Sequence, residues 1–269
     1  MSHPASDLAG RTALVTGAAR GIGAAIAGRL AERGAQVVIA DLLAEEGRRT
    51  AAALTARGLR ASFLPLDAAD EWSWTEAVAG TLRETGAFDI LVNNAGIEVT
   101  SLIADIETAA FRRLCEVNLM GPLLGLKAAF RAMRPGGAAG RGGVVINVSS
   151  MAALTAYPAT AAYAATKAGV ERLTKVAAVE SARLGYGVRV NCVYPGLVAT
   201  ELSQASAARA LEIGLFPDAG ALQSYLMSQI PLGRTGAPQD VAEAVAFLAS
   251  DAASYITGVG LPVAGGLGV

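Results

Sequence analysis

The sequence predicts an α/β fold, a parallel β-sheet covered by helices on both faces. Three observations carry this. Short β-rich runs alternate with helical stretches from the start of the chain. The strand runs are almost wholly apolar, the pattern of strands buried on both sides. A glycine-rich turn, Thr16-Gly17-Ala18-Ala19-Arg20-Gly21-Ile22-Gly23, joins the first strand to the first helix. The 269 residues suit one large domain, and no repeat, low-complexity linker or boundary divides residues 1–269.

The elements follow in order. A strand over 12–16 leads through the glycine turn into a helix over 22–33. A β-rich run over 37–40 stops at Asp41, and a polar, alanine-rich helix covers 45–57. The third strand, 61–66, ends at Asp67, and a helix over 72–84 leads to the fourth, 90–92. A long amphipathic helix is expected over 107–133, ended by Pro135-Gly136-Gly137, with a Gly/Ala loop to Gly143. The fifth strand, 144–148, precedes the helix bearing Tyr163, and the sixth covers 188–193. Pro238 opens a helix over 237–250, and 261–263 forms a short last strand. Segment 197–230 carries turn breakers at Gly214, Pro217 and Gly220. It reads as irregular and longer than an ordinary connection, which suits a lid.

Charge narrows the function. The 22 basic and 23 acidic side chains leave a net charge of -1, which argues against nucleic acid or an anionic membrane as the main partner. The uncharged stretches 142–166 and 252–269 are broken by Gly, Pro, Ser or Thr, so neither reads as a membrane span. The first ten residues have no basic start and no apolar core, and a cytoplasmic protein is the expectation. Cys115 and Cys192 lie far apart in apolar segments and read as buried free thiols, with no disulfide and no metal site. The lone His3, in a polar tail, reads as a surface residue rather than a catalyst.

The chemistry centres on Tyr163 and Lys167, four residues apart on an apolar helix and so stacked on one face. A buried cation beside a phenol favours the phenolate. Bringing a tyrosine from about 10 to about 7 takes roughly 4 kcal/mol, and Lys167 is one source; the positive ring of an oxidised nicotinamide would be another. The glycine turn suits a pyrophosphate. Gly17 allows the tight turn, Gly21 and Gly23 allow close approach, and the helix N-terminus offers free amides. Its spacing is G-x-x-x-G-x-G, not the commonest dinucleotide fingerprint. Asp41 closes the second strand eighteen residues after Gly23, near where an acid binds ribose hydroxyls. Its charge would repel a 2′-phosphate, so NAD is favoured over NADP, although Arg20 could reach a phosphate. Asp67-Ala68 could accept from an adenine amino group. Asn93-Asn94-Ala95-Gly96 would let the backbone pack against the adenosine.

Together these pieces resemble the short-chain dehydrogenase/reductase family. The matches are the Thr16–Gly23 turn, Asp41, Asp67, Asn93 to Gly96, Asn118, Ser149-Ser150, Tyr163 with Lys167, and Asn191-Cys192-Val193-Tyr194-Pro195-Gly196. They run from about Gly10 to Gly266. The resemblance implies a Rossmann-type, doubly wound, seven-stranded parallel sheet and a homotetramer. It implies hydride transfer between a nicotinamide and a carbinol or carbonyl carbon. Tyr163 would exchange the proton, Ser150 would hydrogen-bond the substrate oxygen, and Lys167 would hold the nicotinamide ribose and depress the Tyr163 pKa. Asn118 would fix a water in a proton relay. Pro195, Gly196, Val198 and Thr200 would support the nicotinamide end. Ala264 stands where many members have Asp, at a structural position.

The apolar residues of the lid segment (Leu202, Leu211, Ile213, Leu215, Phe216, Leu222, Tyr225, Leu226 and Met227), with Ile97 and Met151, suggest a largely apolar secondary alcohol or ketone as substrate. Glu98, at the same mouth, reads as a solvated loop residue. Tyr157 and Tyr194 fit either a pocket wall or the core. Two alternatives remain open. One is an NADPH-dependent 3-oxoacyl-carrier-protein reductase, for which Arg131, Arg134 and Arg141 could hold an acidic carrier. The other is a nicotinamide-binding interaction protein without turnover.

Overall fold

The computed structural model describes residues 7–268; His3 lies outside them. Seven strands form one parallel sheet in the order β3-β2-β1-β4-β5-β6-β7. They are β1 (Thr12–Thr16), β2 (Gln36–Asp41), β3 (Ala61–Pro65), β4 (Ile90–Asn93), β5 (Gly143–Val148), β6 (Val188–Pro195) and β7 (Gly260–Val263). Side chains alternate across the sheet, so one apolar run feeds two cores. Val15, Val37, Ile39, Val92 and Ile146 face α1 (Gly21–Glu32), α2 (Ala44–Ala56) and α9 (Pro238–Ala249). Leu14, Val38, Leu91, Val145 and Val190 face α3 (Glu71–Thr85), α5 (Gly121–Met133) and α6 (Ala161–Arg183). This double burial is why the strand runs read as uninterrupted apolar segments rather than alternating ones.

Local signals set the ends. Asp70 caps α3 by accepting from the Ser73 amide at 2.7 Å. Pro135 forces Arg134 out of the helical region, to ψ 158, so α5 stops at Met133.

Three expectations need correction. The helix expected over 107–133 is not a uniform α-helix. It comprises α4 (Thr108–Cys115), a π-turn over Glu116–Met120, and α5. The turn is wide because one extra residue is inserted there, and Asn118 sits in it with its side chain bonded to the neighbouring Ile97 backbone. Segment 197–230 is not irregular: it forms α7 (Glu201–Glu212) and α8 (Ala219–Ser228). Its breakers fall mostly between the helices, with Gly214 at φ +74 just beyond α7 and Pro217 just ahead of the Asp218 cap of α8. The alanine-rich stretch ahead of Gly214, with Ala205, Ala207, Ala208 and Ala210, has ample helix propensity. Cys192 is buried, but Cys115 is only partly so, because it lies on a short helix that buries little beyond Leu114.

Candidate active site

Strand order reverses between β1 and β4, and a crevice opens at their carboxyl ends, as open α/β sheets require. The cavity there has a volume of about 1110 Å³. All the residues expected to bind the coenzyme line it, from Gly17 to Thr200, as do Ser150, Tyr163 and Lys167. Asn118 lies behind the wall, fully buried.

The glycine turn forms a cradle that side chains would fill. Gly17 has φ +62, and a Cβ there would come within 2.7 Å of the Ala95 Cα. A Cβ on Gly23 would lie 2.2 Å from the Gly17 carbonyl oxygen. Gly21 needs its freedom for conformation, at φ +59, rather than for space. Arg20 precedes α1 in extended backbone and no side chain caps the helix. The first-turn amides are therefore left for a ligand, and both the cradle and its donors fit a pyrophosphate.

The turn after β4 is stitched to this cradle. Asn94 Nδ2 donates to the Thr16 and Gly17 carbonyls at 2.9 and 3.0 Å. Thr16 Oγ1 accepts from the amides of Asn94 and Ala95, both at 3.0 Å. The Asn94 side chain thus acts on the protein's own backbone. Asp41 accepts from the Ala19 amide at 2.9 Å and the Leu43 amide at 3.0 Å, so its carboxylate is fixed at the rim. Asp67 accepts from the Ala69 amide at 2.9 Å. Arg20 pairs with Glu201 of α7 at 2.6 Å. Thr200 caps α7, accepting from the Ser203 amide.

On α6, Tyr163 and Lys167 stand one turn apart. Lys167 Nζ donates to the Val148 carbonyl at 2.9 Å and lies 5.6 Å from the Tyr163 ring centroid. Burial lowers its pKa to about 8, against an opposing pull from Glu98. Ser149 donates to the Lys167 carbonyl at 2.8 Å and serves the helix backbone. Ser150 follows β5, accepts from the Ala152 amide at 3.1 Å, and acts on Tyr163 to lower its pKa. Asn118 Nδ2 donates to the Ile97 carbonyl at 2.8 Å, and its Oδ1 accepts from the Ile97 amide at 2.9 Å. Gly96 leaves room between Asn118 and Lys167: a Cβ there would stand 3.4 Å from Asn118 Oδ1 and 3.5 Å from Lys167 Nζ.

The free protein does not acidify Tyr163. Burial raises its pKa above the ordinary tyrosine range, Glu98 raises it further, and only Ser150 opposes them. Lys167 is not among the groups that lower it; its ammonium is held on the Val148 carbonyl.

Beyond the glycine cradle the cavity is lined by Ile97, Met151 and Tyr157 and by Leu202, Leu215, Phe216, Leu222, Tyr225 and Leu226. Leu211, Ile213 and Met227 do not line it, and Tyr194 is buried against Gly260. Glu98 corrects the sequence reading. It is half-buried in the cavity wall, and burial raises its carboxyl pKa while Ser206 and Lys167 lower it. Sequence reasoning also missed Thr166, 3.3 Å from Asn118 Nδ2, and Arg113 in the wall. A usable signal for Glu98 was its place two residues beyond the Asn93–Gly96 turn, in an otherwise apolar mouth.

The chain is similar to known proteins. The family model described as enoyl-(acyl carrier protein) reductase matches residues 17–268. The trans-4-hydroxycyclohexanecarboxylate dehydrogenase of Sinomonas cyclohexanicum is 41% identical over 99% of this chain and 96% of its own. The cyclopentanol dehydrogenase of Comamonas testosteroni is 37% identical over 95% of this chain and 96% of its own. A crystal structure of a dehydrogenase/reductase from Sinorhizobium meliloti 1021 superposes with a TM-score of 0.85 at 32% identity, covering 97% of this chain and 96% of that one.

Proposed function

This chain belongs to the short-chain dehydrogenase/reductase family and is an oxidoreductase acting on CH–OH groups, and we propose that it oxidises a secondary alcohol on a largely apolar ring, with NAD as acceptor. The observation that carries the reading is the convergence of Ser150, Tyr163 and Lys167 on one cavity whose other half is an anion cradle. The relative named for cyclopentanol supports a neutral ring alcohol; the relative named for trans-4-hydroxycyclohexanecarboxylate supports the ring, although its named substrate also carries a carboxylate.

Bound in the cradle, the nicotinamide supplies the hydride acceptor. Ser150 donates a hydrogen bond to the substrate oxygen and orients the carbinol carbon. The Tyr163 oxygen takes the hydroxyl proton as the carbonyl forms. Lys167 is not among the groups that lower the Tyr163 pKa in the free protein, and an oxidised nicotinamide held beside the phenol would supply further positive charge. Lys167 holds the nicotinamide ribose, and Asn118, through the π-turn, completes the path by which the proton leaves. Helices α7 and α8 form the lid.

Asp41 supports NAD, because a fixed carboxylate at the rim repels a 2′-phosphate. Arg20 does not counter it, since its guanidinium is paired with Glu201. The reading includes one domain and a cytoplasmic homotetramer. Exposed Leu123, Val176 and Val179 on α5 and α6 supply apolar surface for association, and no described helix is long and apolar enough to cross a membrane.

The family model's description, an acyl-carrier-protein reductase, raises a carrier-protein substrate as a second reading. The basic groups it needs are engaged elsewhere: Arg141 pairs with Asp89, Arg131 lies 4.0 Å from Glu71, and Arg134 stacks on Tyr186. Steady-state rates with NAD and NADP on cyclic alcohols, polyols and carrier-bound 3-oxoacyl groups test the choice. Preference for NAD and cyclic alcohols is expected. Preference for NADPH and the carrier-bound group would overturn it, and absence of any turnover would favour a non-catalytic nicotinamide-binding role.

A further inference from the structure

Glu98 is the acidic side chain that the apolar substrate half of the cavity contains beside the catalytic tyrosine. Its position is imposed. Both backbone groups of the preceding Ile97 are bonded to Asn118. Three residues beyond it, the Ser101 amide donates to the Ala159 carbonyl at 2.9 Å. Ala159 is the one non-glycine residue with positive φ among those described, at 62, a conformation that costs about 1 kcal/mol or more. The segment 97–101 is therefore strapped between the π-turn and the loop that opens the Tyr163 helix, and Glu98 is held on the wall.

Its surroundings leave the carboxylate short of partners. From α6 it meets Tyr163 and Lys167, from α7 the Ser206 hydroxyl, and Arg113 of α4 lines the same cavity but pairs with Glu116 at 3.1 Å. Among the described residues Glu98 forms no ion pair within 4.0 Å. A carboxylate in an apolar wall is costly unless donors reach it; Ser206 supplies one, and a ligand hydroxyl can bring a second. An anionic ligand would instead meet the like charge of Glu98.

We propose that Glu98 selects substrate by charge, accepting a hydrogen bond from a second hydroxyl of a neutral ring alcohol and excluding ring acids. This rests on the alcohol-oxidising reading and narrows it to diol-like substrates. Glu98→Gln keeps the shape and removes the charge. The test is calorimetric titration of the protein, loaded with whichever of NADH and NADPH it binds more tightly, with cis-1,4-cyclohexanediol and with cyclohexanecarboxylate. The wild type should bind the diol at least about tenfold more tightly than the acid, and the variant should shrink that ratio about tenfold or more, the size of one lost like-charge contact in a partly buried site. A ratio that moves less than threefold overturns the proposal. Coenzyme reduction by the diol is scored separately. Turnover with an unmoved ratio defeats the role of Glu98 alone, whereas a shifted ratio without turnover defeats the alcohol-oxidising reading alone.

Discussion

Lys167→Met should stabilise the free protein while removing its activity. The Lys167 pKa falls from 10.5 to about 8 on burial, so the folded state binds the proton less well than the unfolded chain. At 1.36 kcal/mol per unit, holding the ammonium costs the fold about 3 kcal/mol at pH 7. Methionine avoids that cost but forfeits the bond from Nζ to the Val148 carbonyl, worth about 1.5 kcal/mol. The net gain is about 2 kcal/mol, or roughly 4–8 °C in Tm for a chain of this size. The sign fixes the pH dependence. The penalty is full below about pH 8 and fades as pH rises toward 10.5, where the unfolded chain also loses its proton. The advantage of the variant should therefore vanish by about pH 10. Denaturant unfolding without coenzyme, at one protein concentration and at pH 7 and 10, reads both numbers. A variant less stable than the wild type at pH 7 would refute the reasoning.

Three further outcomes are expected. Asp41→Ser removes the carboxylate held by Ala19 and Leu43 and should shift kcat/KM toward NADP over NAD by at least about tenfold. Gly23→Ala places a methyl 2.2 Å from the Gly17 oxygen; unfolding and coenzyme titration should show a loss of about 2 kcal/mol or more and weakened binding. Because Glu98 raises the Tyr163 pKa, Glu98→Gln should move the ascending limb of the pH–rate profile for alcohol oxidation, where Tyr163 loses its proton, to lower pH, and a shift to higher pH would contradict the coupling.

The sheet was legible because apolar strands buried on two faces leave an unbroken signature, as at Val37–Ala40 and Val144–Val148. The glycine cradle was legible because positive φ at Gly17 and Gly21 restricts residue type. Helices α7 and α8 were hidden by Gly214 and Pro217, which punctuate between helices as readily as within a loop. The π-turn left no mark in the periodicity, since one extra residue shifts the phase only locally. Glu98 was misplaced because a lone carboxylate beyond a turn is usually solvated. Here two backbone bonds to Asn118, twenty-one positions away from Ile97, turn it inward, and no local pattern encodes that pairing. The direction of the Lys167 ammonium was hidden for a related reason. Helical spacing brings Lys167 near, but the direction of its Nζ is set by Val148 on another strand.

The central claim is that the Tyr163 hydroxyl moves the substrate proton. Tyr163→Phe removes one oxygen and leaves the cradle intact. Its kcat on the best alcohol should fall at least about a hundredfold, in the range that general acid–base groups supply, while coenzyme affinity measured by titration stays within a few fold. A phenylalanine variant that turns over that alcohol at the wild-type rate would contradict the account.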